Sequence, residues 1–234
     1  MKKVFLLIIT SLVILSCNSE RATNMIVKGE IKGLKKGVLY LQKMKDTLLV
    51  SVDSVALNGS NSFELKDYVE SPVLYYLTFD ANNAEKSILF FGEEGIITIK
   101  DNVENFGLNP EINGSKNQLV LDKYMLMSRK FQEQNLDLLK QEFDAKKAKD
   151  NDLMKKIAED YKRLVRRRVL YTANFAITNA DTEVAPYLAL TELYDASIPL
   201  LDTVNNALSD RIKNSTYGKR YQQFLDTIKK KEKK

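Results

Sequence analysis

Between residues 25 and 99, short apolar runs alternate with turn residues. Each run is rich in β-branched and aromatic side chains and is bounded by glycine, proline or asparagine. Runs of this length and spacing are typical of antiparallel strands in a β-sandwich or a partly open barrel. Asn58-Gly59 also predicts a hairpin between the third and fourth runs. The pattern predicts strands at Met25–Ile31, Val38–Leu41, Leu48–Val55, Phe63–Leu65, Val73–Phe79, Ile88–Phe91 and Ile96–Ile99.

After Ser115 the apolar period changes from that of a strand to that of a helix. Two long stretches carry apolar residues on one helical face, the first from Val120 to about Lys149 and the second from Leu153 to Phe175. Asp150–Asp152 lies between them as a polar turn and cap. Two long helices joined by so short a turn are predicted to form an antiparallel hairpin.

Three further helices are predicted towards the C-terminus. Thr182 is placed as the N-cap of a helix that ends at Tyr194, and Ser197 as the N-cap of one that continues to Ile212. The last helix runs from about Tyr217 to Ile228. The expected fold class is α+β, with an N-terminal antiparallel β-sandwich or partly open barrel (residues 25–115), an all-helical domain (116–228) and a basic tail (229–234).

A different pattern precedes the strands. Lys2 and Lys3 are followed by an apolar run from Val4 to Leu15, which is the arrangement of a secretory signal peptide. The run is shorter than the roughly 20 apolar residues that a membrane-spanning helix needs. Cys17, the only cysteine in the sequence, follows almost directly.

The stretch Ile14-Leu15-Ser16-Cys17 resembles the lipobox of bacterial lipoproteins. The resemblance implies that residues 1–16 are removed as a signal peptide and that the Cys17 sulfur carries a diacylglycerol, with residues 17–24 as a lipidated tether. The alternative is a free or disulfide-bonded Cys17 after ordinary cleavage, although the sequence offers no second cysteine. By the same resemblance, Asn18 favours the outer membrane, and the lone acidic residue Glu20 favours its periplasmic side.

Composition narrows the possible chemistry. The absence of histidine excludes Ser-His-Asp and Cys-His catalysis as well as histidine-based metal sites, and the sequence has no glycine-rich phosphate loop. Neither a cofactor nor a metal ion is expected. Carboxylate, lysine, serine and tyrosine chemistry stays open. A hydrolase or lyase that relies on carboxylates and tyrosines is therefore the alternative to the preferred interpretation, a non-catalytic binding module.

Charge is distributed unevenly along the chain. Cys17–Ser115 holds 10 basic and 14 acidic residues, whereas Lys116–Lys234 holds 24 basic and 17 acidic ones. Arg163, Arg166 and Arg167 form one basic cluster, and the C-terminal tail forms another. Contact with anionic lipid and simple solvation of a helix face both fit these clusters, and solvation is the preferred interpretation. An exported protein is not expected to meet nucleic acid.

Two aromatic pairs, Tyr75-Tyr76 and Phe90-Phe91, are candidates for a binding face. In an alternating strand one member of each pair points inward, so core packing is the preferred interpretation. The outward members stay candidates for stacking against a ligand.

Several short motifs resemble a known architecture. Val27–Gly33, Gly37–Leu41 and Asp53–Val55 resemble the β-rich domain of unknown function that precedes thioredoxin-like modules in envelope thiol-disulfide oxidoreductases of the Bacteroidetes group. With no tryptophan and no second cysteine in the sequence, no redox residue of that family can be transferred. The resemblance implies the front portion of such a protein without its catalyst. The binding module is expected to dock to a protein or a glycan, for example a separate thioredoxin-like enzyme of the envelope, and a structural spacer is a further alternative. Three later motifs resemble the helical connector of the same family, namely Asn113–Ser115, Pro186–Leu190 and Asn214–Lys219.

Overall fold

The computed structural model describes residues 23–79 and 87–232, and within them the strands come first and the helices second. The predicted α+β fold class is therefore confirmed. The strands are β1 Met25–Lys32, β2 Lys36–Lys45, β3 Leu48–Asn58, β4 Ser62–Asp67, β5 Val73–Phe79, β6 Ser87–Gly92, β7 Gly95–Asn102 and β8 Glu111–Asn113. The helices are α1 Lys116–Ala148, α2 Asn151–Thr178, α3 Val184–Glu192, α4 Ile198–Ala207, α5 Asp210–Lys213 and α6 Thr216–Glu232.

The strands form two sheets of four, in the orders β4-β1-β7-β8 and β3-β2-β5-β6. The neighbouring strands are antiparallel except for β1 and β7, which run parallel. A parallel pair needs a long connection between its strands. Here the whole second sheet and β4 lie between β1 and β7 in the sequence, and β7 returns the chain to the first sheet.

The sandwich core is built from alternate strand residues. Successive strand side chains point to opposite faces, so every second residue enters the space between the sheets. Tyr75 and Phe90 pack there with ring centroids 5.9 Å apart. The other fully buried members include Met25, Val27, Ile31, Leu39, Leu41, Leu65, Leu77, Ile88, Ile97 and Ile99.

The hairpin predicted at Asn58-Gly59 is wrong. The strands on either side of it belong to different sheets, because β3 pairs with β2 while β4 pairs with β1. Gly59, at a φ of +92°, carries the chain from one sheet to the other. The Asn-Gly signal reports a local reversal of the chain, whereas strand pairing is decided by which faces can be buried.

The long helical hairpin is confirmed, and both of its helices begin at a capping residue, of which the sequence predicted the one at Asp150. Ser115 Oγ accepts a hydrogen bond from the Gln118 N–H at 3.0 Å, and Asp150 Oδ1 accepts one from the Leu153 N–H at 2.9 Å. Such caps satisfy N–H groups that have no partner within the helix. With 33 residues, α1 is about 50 Å long.

Three of the predicted helix boundaries are corrected, and the first is the end of α3, which lies at Glu192 rather than Tyr194. The residue before α3 is Glu183 rather than Thr182, and its carboxylate is turned inward to a buried network instead of capping the helix. The helix after Ser197 ends at Ala207 instead of continuing to Ile212, since Leu208 is extended. Ser209 then caps the short helix α5, which holds Ile212 in the helical core.

The two halves share a continuous apolar junction. Its buried members come from both sides: Leu74, Phe91, Leu121, Tyr124, Val184, Leu188 and Tyr217. The Phe91 N–H donates to Gln118 Oε1 at 2.9 Å, and the Thr216 N–H donates to Ser71 Oγ at 3.2 Å. The start of α1 and the start of α6 are thereby fixed to the second sheet. Among the described helices, none has the length and apolar composition to cross a membrane.

Candidate functional site

A groove of about 720 Å³ lies where the second sheet meets the helical half. Tyr76 on β5 and Tyr68 just after β4 line it from the sandwich, together with Lys43 on β2. Tyr187 on α3 lines it from the helical half, and so do Tyr217 and Arg220 on α6. We call this site, defined by Tyr68, Tyr76, Tyr187, Tyr217, Lys43 and Arg220, the tyrosine groove.

Tightly packed rings form the helical wall of the tyrosine groove. The ring centroids of Tyr187 and Tyr217 are 5.4 Å apart, and Phe91 meets Tyr187 edge to face at 5.6 Å. The Tyr217 hydroxyl oxygen accepts a hydrogen bond from the Leu74 N–H at 3.1 Å. Aromatic contacts of this geometry add to the free energy gained from burial. This wall is therefore held in place before any ligand arrives.

The phenols of this wall are kept neutral. Burial raises the pKa of Tyr187 to about 12, and the neighbouring Tyr217 adds to the effect. Burial also raises the pKa of Tyr217, although the hydrogen bond from the Leu74 backbone lowers it in part. Neutral phenol rings can stack on a ligand, and a phenol hydroxyl can both donate and accept hydrogen bonds. They are poorly suited to act as bases near neutral pH.

An ion pair closes the sandwich side of the groove. Lys43 Nζ contacts Asp67 Oδ2, and the Tyr75 hydroxyl donates to the same oxygen at 2.6 Å. Lys43 Nζ also lies 3.1 Å from the Tyr75 hydroxyl oxygen. Burial, followed by the contact with Asp67, raises the pKa of Tyr75. The carboxylate of Asp67 is thus occupied from two sides, and its role is to fix the wall.

The four aromatic residues suggested by the sequence have separate positions. Tyr75 and Phe90 are fully buried in the sandwich core, and Phe91 is fully buried in the junction. These three cannot form an exposed binding face, so that suggestion is corrected in favour of core packing. Tyr76 alone is partly exposed, and it lines the tyrosine groove.

The arginine cluster lies on the second helix of the hairpin. Arg163 and Arg167 border a shallow groove shared with the acidic residues Asp137 and Asp160, and Arg163 forms an ion pair with Asp160. Arg166 is exposed, and it forms no ion pair within residues 23–79 and 87–232. The cluster is therefore mixed in charge, and the anionic-lipid contact stays a prediction.

Sequence reasoning missed the helical wall of the groove. Tyr187 falls inside a predicted helix and Tyr217 begins the last one, so both fit the apolar period of a helix packed on a core. No local signal distinguishes a tyrosine that lines a groove from one that fills a core. Cys17 lies outside the described residues, and its lipidation stays a prediction.

No metal centre is found in the part of the chain that the structure describes. No three Asp, Glu, His or Cys side chains converge there to hold an ion. The buried carboxylate Glu183 is engaged by Arg211 at 2.7 Å and by Asn117, and the partly buried Asp67 is engaged by Lys43 and Tyr75.

Residues 25–121 match the family described as a domain of unknown function (DUF4369). The matched region covers the eight strands found among the described residues and the beginning of α1, so this N-terminal part resembles an uncharacterised β-rich domain. Its extension into α1 agrees with the hydrogen bond that ties Gln118 to the second sheet. No curated protein and no solved structure matches the chain significantly. Lys43, Tyr68 and Tyr76 lie within the matched region, whereas Tyr187 and Tyr217 lie beyond it.

Proposed function

We propose that the chain is a lipid-anchored cell-envelope protein that acts as a non-catalytic binding module, with the tyrosine groove as its docking site. The observation that carries the proposal is the convergence of tyrosines from both halves on one open groove. Neutral, partly buried phenols provide apolar area together with hydrogen-bonding groups, which is the usual character of a recognition surface.

The alternative of a hydrolase or lyase receives less support. Catalysis by paired carboxylates needs two acidic groups that converge on the substrate in unequal environments. The carboxylates that line the groove, Asp46 and Glu70, are both exposed. Asp67, which lies beside the groove residue Lys43, is already bound by Lys43 and Tyr75. Tyr187, with its pKa raised to about 12, is better suited to contact a ligand than to remove a proton from one.

The proposed partner is a protein or a glycan of the envelope. The resemblance of the strand motifs to the front domain of envelope thiol-disulfide oxidoreductases makes a separate thioredoxin-like enzyme the first protein candidate. The resemblance of Ile14–Cys17 to a lipobox supports the anchor. Asn18 after the cysteine supports the outer membrane, and the lone acidic residue Glu20 supports its periplasmic side.

A photoreactive phenylalanine at Tyr76 tests the groove in intact cells. We expect an adduct that is abolished when Arg220→Ala changes the opposite wall. The matched control replaces Tyr161, an exposed tyrosine on the hairpin, with the same residue. Equal adducts at positions 76 and 161, or an adduct at 76 that survives Arg220→Ala, would contradict a docking role for the groove.

A further inference from the structure

The tip of the β2–β3 hairpin exposes a group of large apolar side chains. Leu48 is 68% exposed, and Met44 and Leu49, which face each other across the hairpin, are also exposed. Tyr68 lies next to them and is 53% exposed. We call Met44, Leu48, Leu49 and Tyr68 the hairpin-tip patch. Met44 and Leu49 share one face of the hairpin and Leu48 lies on the other, so the tip presents apolar side chains on both faces. Exposed apolar groups concentrated at one point of a surface mark a contact with a partner or a membrane.

The patch lies beside the point where the chain enters the fold. The Asn24 side chain donates to the Val69 carbonyl at 2.9 Å and accepts from the Val69 N–H at 2.7 Å. Lys43 reaches back from the base of the hairpin to Asp67 and to the Tyr68 carbonyl. The start of β1, Tyr68 and the base of the hairpin are therefore neighbours.

The length of the tether limits the distance between the lipid on Cys17 and the start of β1. The seven residues from Asn18 to Asn24 span at most about 24 Å even when fully extended. A lipid on Cys17 therefore lies within that reach of Met25, and the patch borders the same end of the sandwich. A membrane that holds the lipid is consequently the nearest large apolar phase to the patch.

We infer that the hairpin-tip patch inserts into the headgroup layer of the membrane that holds the lipid, as a second contact beside the anchor. The inference rests on the lipid anchor of the proposed function. Leucine and methionine side chains supply the apolar area, and Tyr68 has the amphipathic ring that favours a membrane interface. Lys45, which pairs with Leu48 across the hairpin, can extend its amine to lipid phosphates. One wall of the tyrosine groove is then formed by the element that touches the membrane, because Met44 and Lys45 also line the groove.

The test uses full-length lipidated protein purified from membranes and reconstituted in vesicles of phosphatidylethanolamine and phosphatidylglycerol. Leu48→Cys introduces the single reactive thiol, since the Cys17 sulfur is then a thioether, and this thiol is labelled with an environment-sensitive fluorophore. Leu136→Cys is the matched control, because Leu136 is 64% exposed and lies on the outer face of α1. Both leucines are exposed, so neither substitution alters a core.

We expect nitroxides attached to lipid headgroups to quench the probe at position 48 several-fold more strongly than the probe at position 136. Equal quenching at the two positions, in a sample whose intact mass includes the lipid, would contradict the membrane contact of the patch. It would not contradict the lipid anchor. A blue-shifted probe at position 48 that lipid nitroxides do not quench would also overturn the membrane contact, because a protein would then cover the patch. An intact mass without lipid would show that the proposed anchor is wrong. The membrane contact would then also be contradicted, because it is argued from the anchor.

Discussion

Asn117 and Glu183 are joined by two reciprocal hydrogen bonds. Asn117 Nδ2 donates to Glu183 Oε2 at 3.0 Å, and the Glu183 N–H donates to Asn117 Oδ1 at 2.9 Å. Asn117 Nδ2 also donates to Glu93 Oε2 at 2.8 Å, in the turn between β6 and β7. One amide side chain thus links the sandwich to the starts of α1 and α3. Because α3 carries Tyr187, this link helps to hold the two walls of the tyrosine groove in register.

Replacing Asn117 with aspartate should destabilise the fold strongly. Asn117→Asp places a third carboxylate against Glu93 and Glu183 at a buried position and removes the amide donor that both accept. We expect a loss of about 2–4 kcal/mol in the free energy of unfolding at pH 7, as measured by urea denaturation. Asn117→Ala removes the hydrogen bonds without adding a charge and should cost less.

Asp152→Asn is the control for that measurement. Asp152 is 98% exposed and forms only a long ion pair with Lys155 at 3.8 Å. Its replacement should change the free energy of unfolding by less than about 0.5 kcal/mol. Equal losses for Asn117→Asp and Asp152→Asn would show that the buried network does not stabilise the fold.

Gly29 should tolerate no side chain. It lies in β1 directly opposite Ile99 of β7, and an added Cβ would overlap the Ile99 carbonyl oxygen. Gly29→Ala should therefore cost about 3 kcal/mol or more, because a backbone clash cannot be relieved by a rotamer change. At Gly59 an added Cβ meets nothing, so Gly59→Ala should cost only the roughly 1–2 kcal/mol of its positive φ. Similar melting curves for the two variants would contradict the parallel β1–β7 pairing.

The sequence predicts most of the elements but little of their pairing. The β-rich apolar run after Pro72 identifies β5 at Val73–Phe79 to the residue, whereas β8, with three residues, is too short to form such a run. The parallel contact of β1 with β7 could not be predicted, because it joins segments separated by a whole sheet and has no local signature.

The candidate site could be predicted only in part, for the same reason. Tyr76 was suggested by its place in an alternating strand, and the structure places it in the groove. Its neighbours in the groove, Tyr187 and Tyr217, come from helices far along the chain, and only tertiary packing brings them together. Phe91 was a candidate for the binding face with core packing as the preferred interpretation, and the start of α1 and Tyr187 cover it.

Stability should fall above pH 10. A tyrosine in the unfolded chain ionises near pH 10, whereas burial raises the pKa of Tyr187 to about 12. Folding favours the neutral form of Tyr187. Its contribution to the free energy of unfolding is therefore fully present below about pH 10 and is lost as the pH rises towards about 12. Tyr187→Phe removes this ionisation. The variant should lose less free energy of unfolding than the parent between pH 9 and pH 11, and an identical loss would show that Tyr187 is not protected by burial.

The protein should lack a reactive thiol. Cys17 is the only cysteine in the sequence. If its sulfur forms a thioether with lipid, no thiolate is available for thiol-disulfide exchange. We expect no thiol titration with an aromatic disulfide reagent in denaturant and no reductase or isomerase activity. Cys17→Ser should block both lipidation and cleavage and leave a longer precursor. A thiol that titrates in the membrane-purified protein would reopen a redox role.

The intact mass of the protein from the membrane fraction tests the lipid anchor most directly. We expect a chain that begins at Cys17 and carries a diacylglycerol, together with the further acyl chain that is usual on the new amino terminus. Two or three acyl chains hold a protein stably to a bilayer, whereas one does so only marginally. An unmodified chain that still begins at Met1, or one cleaved elsewhere with a free Cys17, would contradict the account.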